Sequence, residues 1–376
     1  MTVSSPSNGQ DQRYEVTPLE LFFDLVFVFA VSQLSHHLLE YPSWRGAAET
    51  LVLLLAVFAV WFHTSWAATM IPVDRPQTLW MILAVMLLSL FMNASVTGAF
   101  AASGWAFVAP FLLAQLGRTF WTLANAPDPV FRDHFFRTLL WLIAASPLWI
   151  AGAAASPEAR LPWWAAAAGL DLIGTLLAHP VPGRWLRSEN VEFEGAHMLE
   201  RCRLFLIIAL GETVLTTGVA IAAAPVTPMT VLTGTAALAG TVALWALGFL
   251  RAERLTLQHL EETSDPVYAS RHAVNALMGM VAGLIPVAVA NEMVIAHPHE
   301  HTSAALSLLL YGGPILFLVA QGWYLWAVVP RVRPRLRLIG SAALVLVGFV
   351  ALAVPPYVAL ILVAASLTTM ALLDRR

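Results

Sequence analysis

The sequence predicts an all-α fold: a polytopic transmembrane helical bundle of about twelve helices. Composition is the first observation behind this. Hydrophobic residues make up 59% of the 376 and charged residues only 11%, at a mean hydropathy of +0.74. A domain that faces water carries about 25% charge. The second is a series of twelve apolar stretches, each near the roughly 20 residues that cross a hydrocarbon layer at about 1.5 Å per residue. The third is an alternation of Arg-rich and Arg-poor connections between them. The net charge of −3 gives no reason to expect a nucleic-acid partner.

The first stretch, 18–39, follows a polar tail, 1–17, that holds acids beside a single Arg. A secretory signal has a basic start and a shorter apolar run, so this stretch reads as a retained helix. Stretches 47–70 and 78–102 are separated by P-V-D-R-P, and 105–125 carries Arg118 within it. Stretch 135–155 leads to the short 162–178, which contains Asp171. Residues 179–196 form the longest hydrophilic connection, with room for a helical turn or two. The second series runs 197–223, 228–250, 268–295 and 303–329. Stretches 336–354 and 356–373, divided by Pro355 and Pro356, read either as two spans in a tight hairpin or as one broken span. The single Cys202 excludes an internal disulfide, so helix packing alone must hold the fold.

All 20 basic residues are Arg. With twelve spans, seventeen of them fall on the termini and even-numbered connections. Arg45 and Arg160 fall on the odd-numbered ones. Positive charge is retained inside, so both termini are expected in the cytoplasm.

The two halves resemble each other. E-L-F-F-D-L-V-F-V-F-A-V-S-Q from Glu20 answers E-R-C-R-L-F-L-I-I-A-L-G-E-T from Glu200, with Ser32-Gln33 and Glu212-Thr213 at matched positions. F-L-L-A-Q at 111–115 answers F-L-V-A-Q at 317–321, and Trp61 answers Trp245. Two parallel six-helix repeats, 18–178 and 197–373, are expected, related by an axis along the membrane normal.

Ionisable groups inside a bilayer cost about 2.5–3.5 kcal/mol each on insertion scales and mark pathways or paired structural sites. Glu20 and Asp24 lie one turn apart on one helix face. Gln33 and Glu212 lie deeper, roughly 18–20 Å along their helices. Arg118, Asp171 and, near the outer end of the ninth span, Glu292 complete the set, with His63 and Asn93 adding polarity. One reading gathers Asp24, Asp171, Arg118, Glu200 and Glu212 around a polar cavity between the repeats, with space beside Glu212 left by Gly211 and Thr213. The other pairs Arg118 with Asp24 or Asp171, and Glu200 with Arg203 or Arg201, as fixed ties. The outer H-P-H-E-H at 297–301, like His36 and His37, is read as solvated rather than as a metal site. No cofactor motif, phosphate loop, nucleophile elbow or zinc signature appears.

V-T-P-L-E-L-F-F-D-L-V-F-V-F-A-V-S-Q-L-S-H, 16–36, resembles the signature of the bacterial low temperature requirement protein A family. H-M-L-E-R-C-R-L-F-L-I-I-A-L-G-E-T, 197–213, resembles that family's second hallmark. The resemblance extends over about the whole chain and marks Glu20, Phe23, Asp24, His36, His197, Glu200, Arg201, Gly211 and Glu212. The family's acidic run after the second span is reduced here to Asp74 and Arg75. Its Tyr and His of the ninth span have only Tyr268 and His272 nearby. F-F-D-L-V-F-V-F-A also resembles the first-helix motif of two-repeat endolysosomal potassium channels. The family name describes growth in the cold, so the resemblance implies a fold and a location, integral in a bacterial inner membrane, more than a reaction.

The function expected is a transporter or channel-like permease for a small ion or solute. Its polar site comprises Glu20, Asp24, Gln33, Arg118, Asp171, His197, Glu200, Arg201 and Glu212. The alternatives are a membrane enzyme acting on a lipid or isoprenoid through His197, Glu200 and Glu212, or a structural or sensory membrane protein. The expected partners are the lipid bilayer and the transported ion or solute, and a homo-oligomer is left open.

Overall fold

A computed structural model describes residues 16–71, 75–101, 104–126, 128–183, 195–250, 265–329 and 335–374. The expectations for the tail before residue 16, for Asp74 and for most of the connection 179–196 lie outside the described residues. Among the described residues there are twelve helices: α1 (Pro18–Glu40), α2 (Trp44–Met70), α3 (Pro76–Ala94), α4 (Gly104–Asn125), α5 (Pro129–Ala154), α6 (Pro157–Leu176), α7 (Gly195–Ala223), α8 (Pro228–Phe249), α9 (Pro266–Ala296), α10 (Ala304–Val328), α11 (Arg335–Ala351) and α12 (Pro356–Asp374). No strand occurs among the described residues.

Proline sets most of the starts. α1, α3, α5, α6, α8, α9 and α12 each place Pro in the first turn, where its missing N–H would have had no partner. The Thr17, Asp128, Thr227 and Asp265 side chains cap α1, α5, α8 and α9 by accepting from backbone N–H groups, which removes part of the donor deficit of a helix end.

Nine of these helices are long and apolar enough to cross a membrane. α11 has 17 residues. α6 carries Glu158, Arg160 and Asp171, and α4 carries Gln115 and Arg118. The molecule is inverted relative to a water-soluble protein. Phe22, Phe91, Leu113, Phe120, Leu215, Trp326, Leu346 and Phe349 point outward, while Glu20, Asp24, Arg118, Arg137, Arg201 and Arg337 are buried. A contiguous apolar exterior of this kind is stable only against lipid. The chain is a multi-pass integral membrane protein.

Much of the neighbour order is shared by the two halves. α1 packs on α2 and α3, as α7 packs on α8 and α9; α3 meets α4, as α9 meets α10; α2 meets α6, as α8 meets α12. The halves touch through α1 and α2 against α7 and α9, and α2 and α9 are the two most enclosed spans.

Two local expectations, for the third helix and for Arg160, are revised, and one open alternative is settled. The third helix stops at Ala94 rather than 102, and the chain continues as short turns, with Ala99 N–H on Val96 O and Ala101 N–H on Gly98 O. The Ala99 and Ala101 carbonyls accept from Arg160 Nη1 at 2.6 and 3.2 Å, and Gly152 O accepts from its Nε at 3.1 Å. Arg160 is thus a buried clamp inside α6 rather than a connecting-loop charge. The last two stretches are separate helices that pack on each other, so they form the hairpin and not a broken span.

Candidate functional site: a buried ion cluster between α1 and α7

The cluster grows from two one-turn spacings. On α1, Glu20 and Asp24 share a face; on α7, His197 and Arg201 share a face. The two faces meet. Glu20 Oε2 closes the capping box, accepting from Thr17 N and Oγ1 at 2.9 Å each, and lies 3.3 Å from His197 Nε2. Arg201 Nη1 is 3.6 Å from Glu20 Oε1, and Nη2 donates to Asp24 Oδ1 at 2.7 Å. Trp61 of α2 donates its indole N–H to the same Asp24 oxygen at 2.7 Å. The guanidinium lies 5.6 Å from the Phe23 ring and 5.8 Å from that of Trp61, in cation–π range.

Glu20, Asp24 and Arg201 are each at most 1% exposed. Moving an ion out of water costs several kcal/mol even after relaxation, so these groups survive here by pairing. The pairing is incomplete. Two carboxylates face one guanidinium, which leaves one negative charge for an imidazolium at His197, a proton or a bound cation. Glu20 Oε1, Asp24 Oδ2 and Arg201 Nε make no hydrogen bond. The cluster therefore keeps open hydrogen-bonding capacity where the first turns of α1 and α7 bring the halves together.

Glu212 lies eleven residues beyond Arg201 on α7 and is buried; Ser32 and His36 of α1 are the polar groups that approach it. Phe27, Ala30, Phe205 and Ala209, all buried, occupy the intervening stretches of the two helices. Gly211 is exposed on the outer side of α7, and the Thr213 hydroxyl donates to Leu210 O and Thr241 Oγ1. The space expected beside Glu212 from these neighbours is therefore not formed by them.

The remaining expected residues are dispersed instead of sharing one cavity. Gln33 is half-buried, with no hydrogen bond to another described residue. Glu200 is paired with Arg203 at 2.9 Å near the surface, as the tie reading expects. Asp171 of α6 accepts from Trp149 Nε1 at 3.0 Å. Arg118 pairs with neither Asp24 nor Asp171, which corrects the alternative reading. It donates to Thr64 Oγ1 at 3.2 Å, Thr119 Oγ1 at 2.9 Å, and the Val60 and Gln115 carbonyls. Asp24 is already held by an Arg from the other half of the chain.

Sequence reasoning misses several partners. Trp61 stands out in the sequence as a repeat marker and not as a donor to Asp24. Glu49 lies 3.2 Å from His37 Nε2 and takes Arg45 Nε at 2.7 Å; an acid one helix after two His is a weak signal. Arg337, one of the Arg that set the charge alternation, is buried against Asp374 and Gln321. At the end of α6, burial, reinforced by His134 and Arg137, holds the His179 imidazole well below its ordinary range. In the H-P-H-E-H loop only His297 and Glu300 pair, at 3.0 Å and exposed. No group of three or more His, Cys, Asp or Glu among the described residues is placed to hold a metal. Tyr268 and His272 stack at 4.0 Å on α9, against Trp323.

Fold and site together define a multi-pass helical membrane protein whose two halves meet at a buried ion cluster with unsatisfied hydrogen-bonding atoms. The chain belongs to the bacterial low temperature requirement A protein (LtrA) family, whose model matches residues 15–372. It is 32% identical over 341 residues to an uncharacterized protein of Rhizobium meliloti (strain 1021), covering 88% of this chain and 83% of that one. No solved structure matches it.

Proposed function

We propose that this protein is a transporter or channel-like permease through which a small ion or solute passes a polar site between the two halves. The observation that carries the reading is the α1–α7 cluster, with two carboxylates against one guanidinium and atoms of Glu20, Asp24 and Arg201 that make no hydrogen bond. A structural tie inside a membrane is favoured when every polar atom is satisfied. This one retains acceptors for a proton, a water or a cation. On this reading the halves are parallel six-helix repeats, a view supported by their shared neighbour order. Glu212 is a second polar station on the same helix pair, and the Arg distribution puts both termini in the cytoplasm.

The test is flux into liposomes loaded with pH- and potassium-sensitive dyes. The expected result is a flux that Asp24→Asn lowers about tenfold or more, equivalent to roughly 1.4 kcal/mol, while Leu346→Ala on the lipid face leaves it intact. Absence of flux under proton and potassium gradients, or an unchanged flux in a well-folded Asp24→Asn protein, sinks the proposal.

A second reading, action on a lipid or isoprenoid, is favoured by one feature. A cavity of about 130 Å³ lies among α7, α8, α9 and α10, lined by Leu199, Leu206, Phe249 and Met280, with Glu200 and Arg203 on its wall. An unchanged lipid profile in a cold-grown deletion strain counts against it.

A further inference from the structure

A separate polar site lies away from the α1–α7 cluster. Asp171 is 8% exposed. Its Oδ2 accepts from Trp149 Nε1 at 3.0 Å, and its Oδ1 has no hydrogen-bond partner. No basic side chain pairs with it among the described residues. An ionised carboxylate in this position is strongly disfavoured unless something positive sits beside it.

There is room for that partner. A cavity of about 30 Å³ is lined by Asp171 and Thr175 of α6, Asn275 of α9, and the rings of Phe58, Phe62 and Trp149. A single water needs roughly 10–15 Å³ by this measure, so the space holds one small ion with a water. Asn275 makes no hydrogen bond to another described residue. Thr175 donates its hydroxyl proton to Asp171 O at 3.0 Å, which leaves the oxygen's lone pairs free. The polar lining is thus a carboxylate, an amide and a hydroxyl. Oxygen donors of this kind suit a hard cation, and one carboxylate neutralises one charge.

We propose that this cavity binds a monovalent cation of sodium's size, held by Asp171, Thr175 and Asn275 across the contact between the first half and α9. The site stands by itself, whatever the α1–α7 cluster carries. The two are nevertheless neighbours. Phe58 lines the cavity and packs on Trp61 with ring centroids 5.2 Å apart, and Trp61 donates to Asp24. One aromatic layer separates the cation from the ion cluster.

The experiment is binding of radiolabelled sodium to the purified full-length chain in detergent, by scintillation proximity, with unlabelled sodium and choline as competitors. The expected result is saturable binding displaced by sodium and not by choline. Asp171→Asn abolishes it, and Asn275→Ala weakens it by about tenfold or more, the scale on which metal sites respond to a lost supporting group. Asp24→Asn still binds, which separates this site from the transport reading. If Asp171→Asn does not fold, Ala168→Leu fills the cavity from its apolar side and should abolish binding in a folded protein. Binding absent from the wild-type chain, or unchanged in folded Asp171→Asn or Ala168→Leu protein, overturns the proposal. So does an infrared band of a protonated carboxyl that Asp171→Asn removes and sodium leaves unmoved, because a proton would then occupy the site.

Discussion

Arg201 is the side chain on which the contact between α1 and α7 depends. It reaches both Glu20 and Asp24, and replacing it with Gln leaves two buried carboxylates without their cation. Removing one member of a buried ion pair costs about 3–5 kcal/mol, so Arg201→Gln should lower the unfolding midpoint in detergent substantially. Adding Asp24→Asn should recover part of that loss, because the orphaned charge goes with it. A midpoint equal to wild type would mean that the cluster is not assembled in the membrane. Half of this cluster is legible in the sequence. The spacings of Glu20 with Asp24 and of His197 with Arg201 each define a helix face, and both lie in family hallmarks. Which faces meet is not legible, since Asp24 and Arg201 are 177 residues apart. Arg118 is matched to the wrong kind of partner for the same reason: in the sequence a carboxylate is the obvious choice, while in the fold helix carbonyls and Thr hydroxyls take the guanidinium.

Among the helices, the pair α9 and α10 makes the most intimate contact, and glycine is the cause. A Cβ on Gly283 would sit 2.5 Å from Gly313 O and 2.8 Å from Phe317 N; a Cβ on Gly313 would sit 2.7 Å from Gly283 O. Backbone approach this close lets dispersion and backbone contacts replace the hydrophobic drive that lipid cannot supply. Gly283→Ala must push the helices apart and should cost about 1–3 kcal/mol, the range for overpacked interiors. On α7, a Cβ added at Gly218 would meet nothing within 4 Å. There Ala should be neutral or stabilising by up to about 1 kcal/mol, the difference in helix propensity. Cys202 is the chain's one cysteine and is buried, so a maleimide dye that reacts on unfolding measures both variants. Equal effects at the two positions would contradict the packing. Pro marks the starts at Pro18, Pro228 and Pro356, but α5 and α6 begin at Pro129 and Pro157, ahead of the apolar stretches read at 135 and 162, because charged residues such as Arg132, Asp133, Glu158 and Arg160 fill their first turns. The end of α3 is not readable, because apolar composition continues through 95–101 while the backbone carbonyls there turn to Arg160.

For the whole molecule, sidedness rests on charge. The Arg distribution is uneven enough to predict the orientation, although several of its members serve the interior: Arg137 bonds to the Ala178 carbonyl and Arg337 to Asp374. On that expectation the other Arg set the topology against lipid and membrane potential. A direct measurement uses a Cys202→Ala background, with single cysteines at two exposed positions. His299 lies in the connection between α9 and α10, and Arg335 opens α11 at the other end of α10. A membrane-impermeant maleimide added to intact cells with a permeabilised outer membrane should label His299→Cys and leave Arg335→Cys unmodified until the cells are lysed. The reverse pattern would invert the molecule, placing the capped, Glu20-bearing end of α1 outside. Labelling of both positions from one side would mean that α10 does not cross, and the shared neighbour order of the halves could not then reflect two complete six-helix repeats.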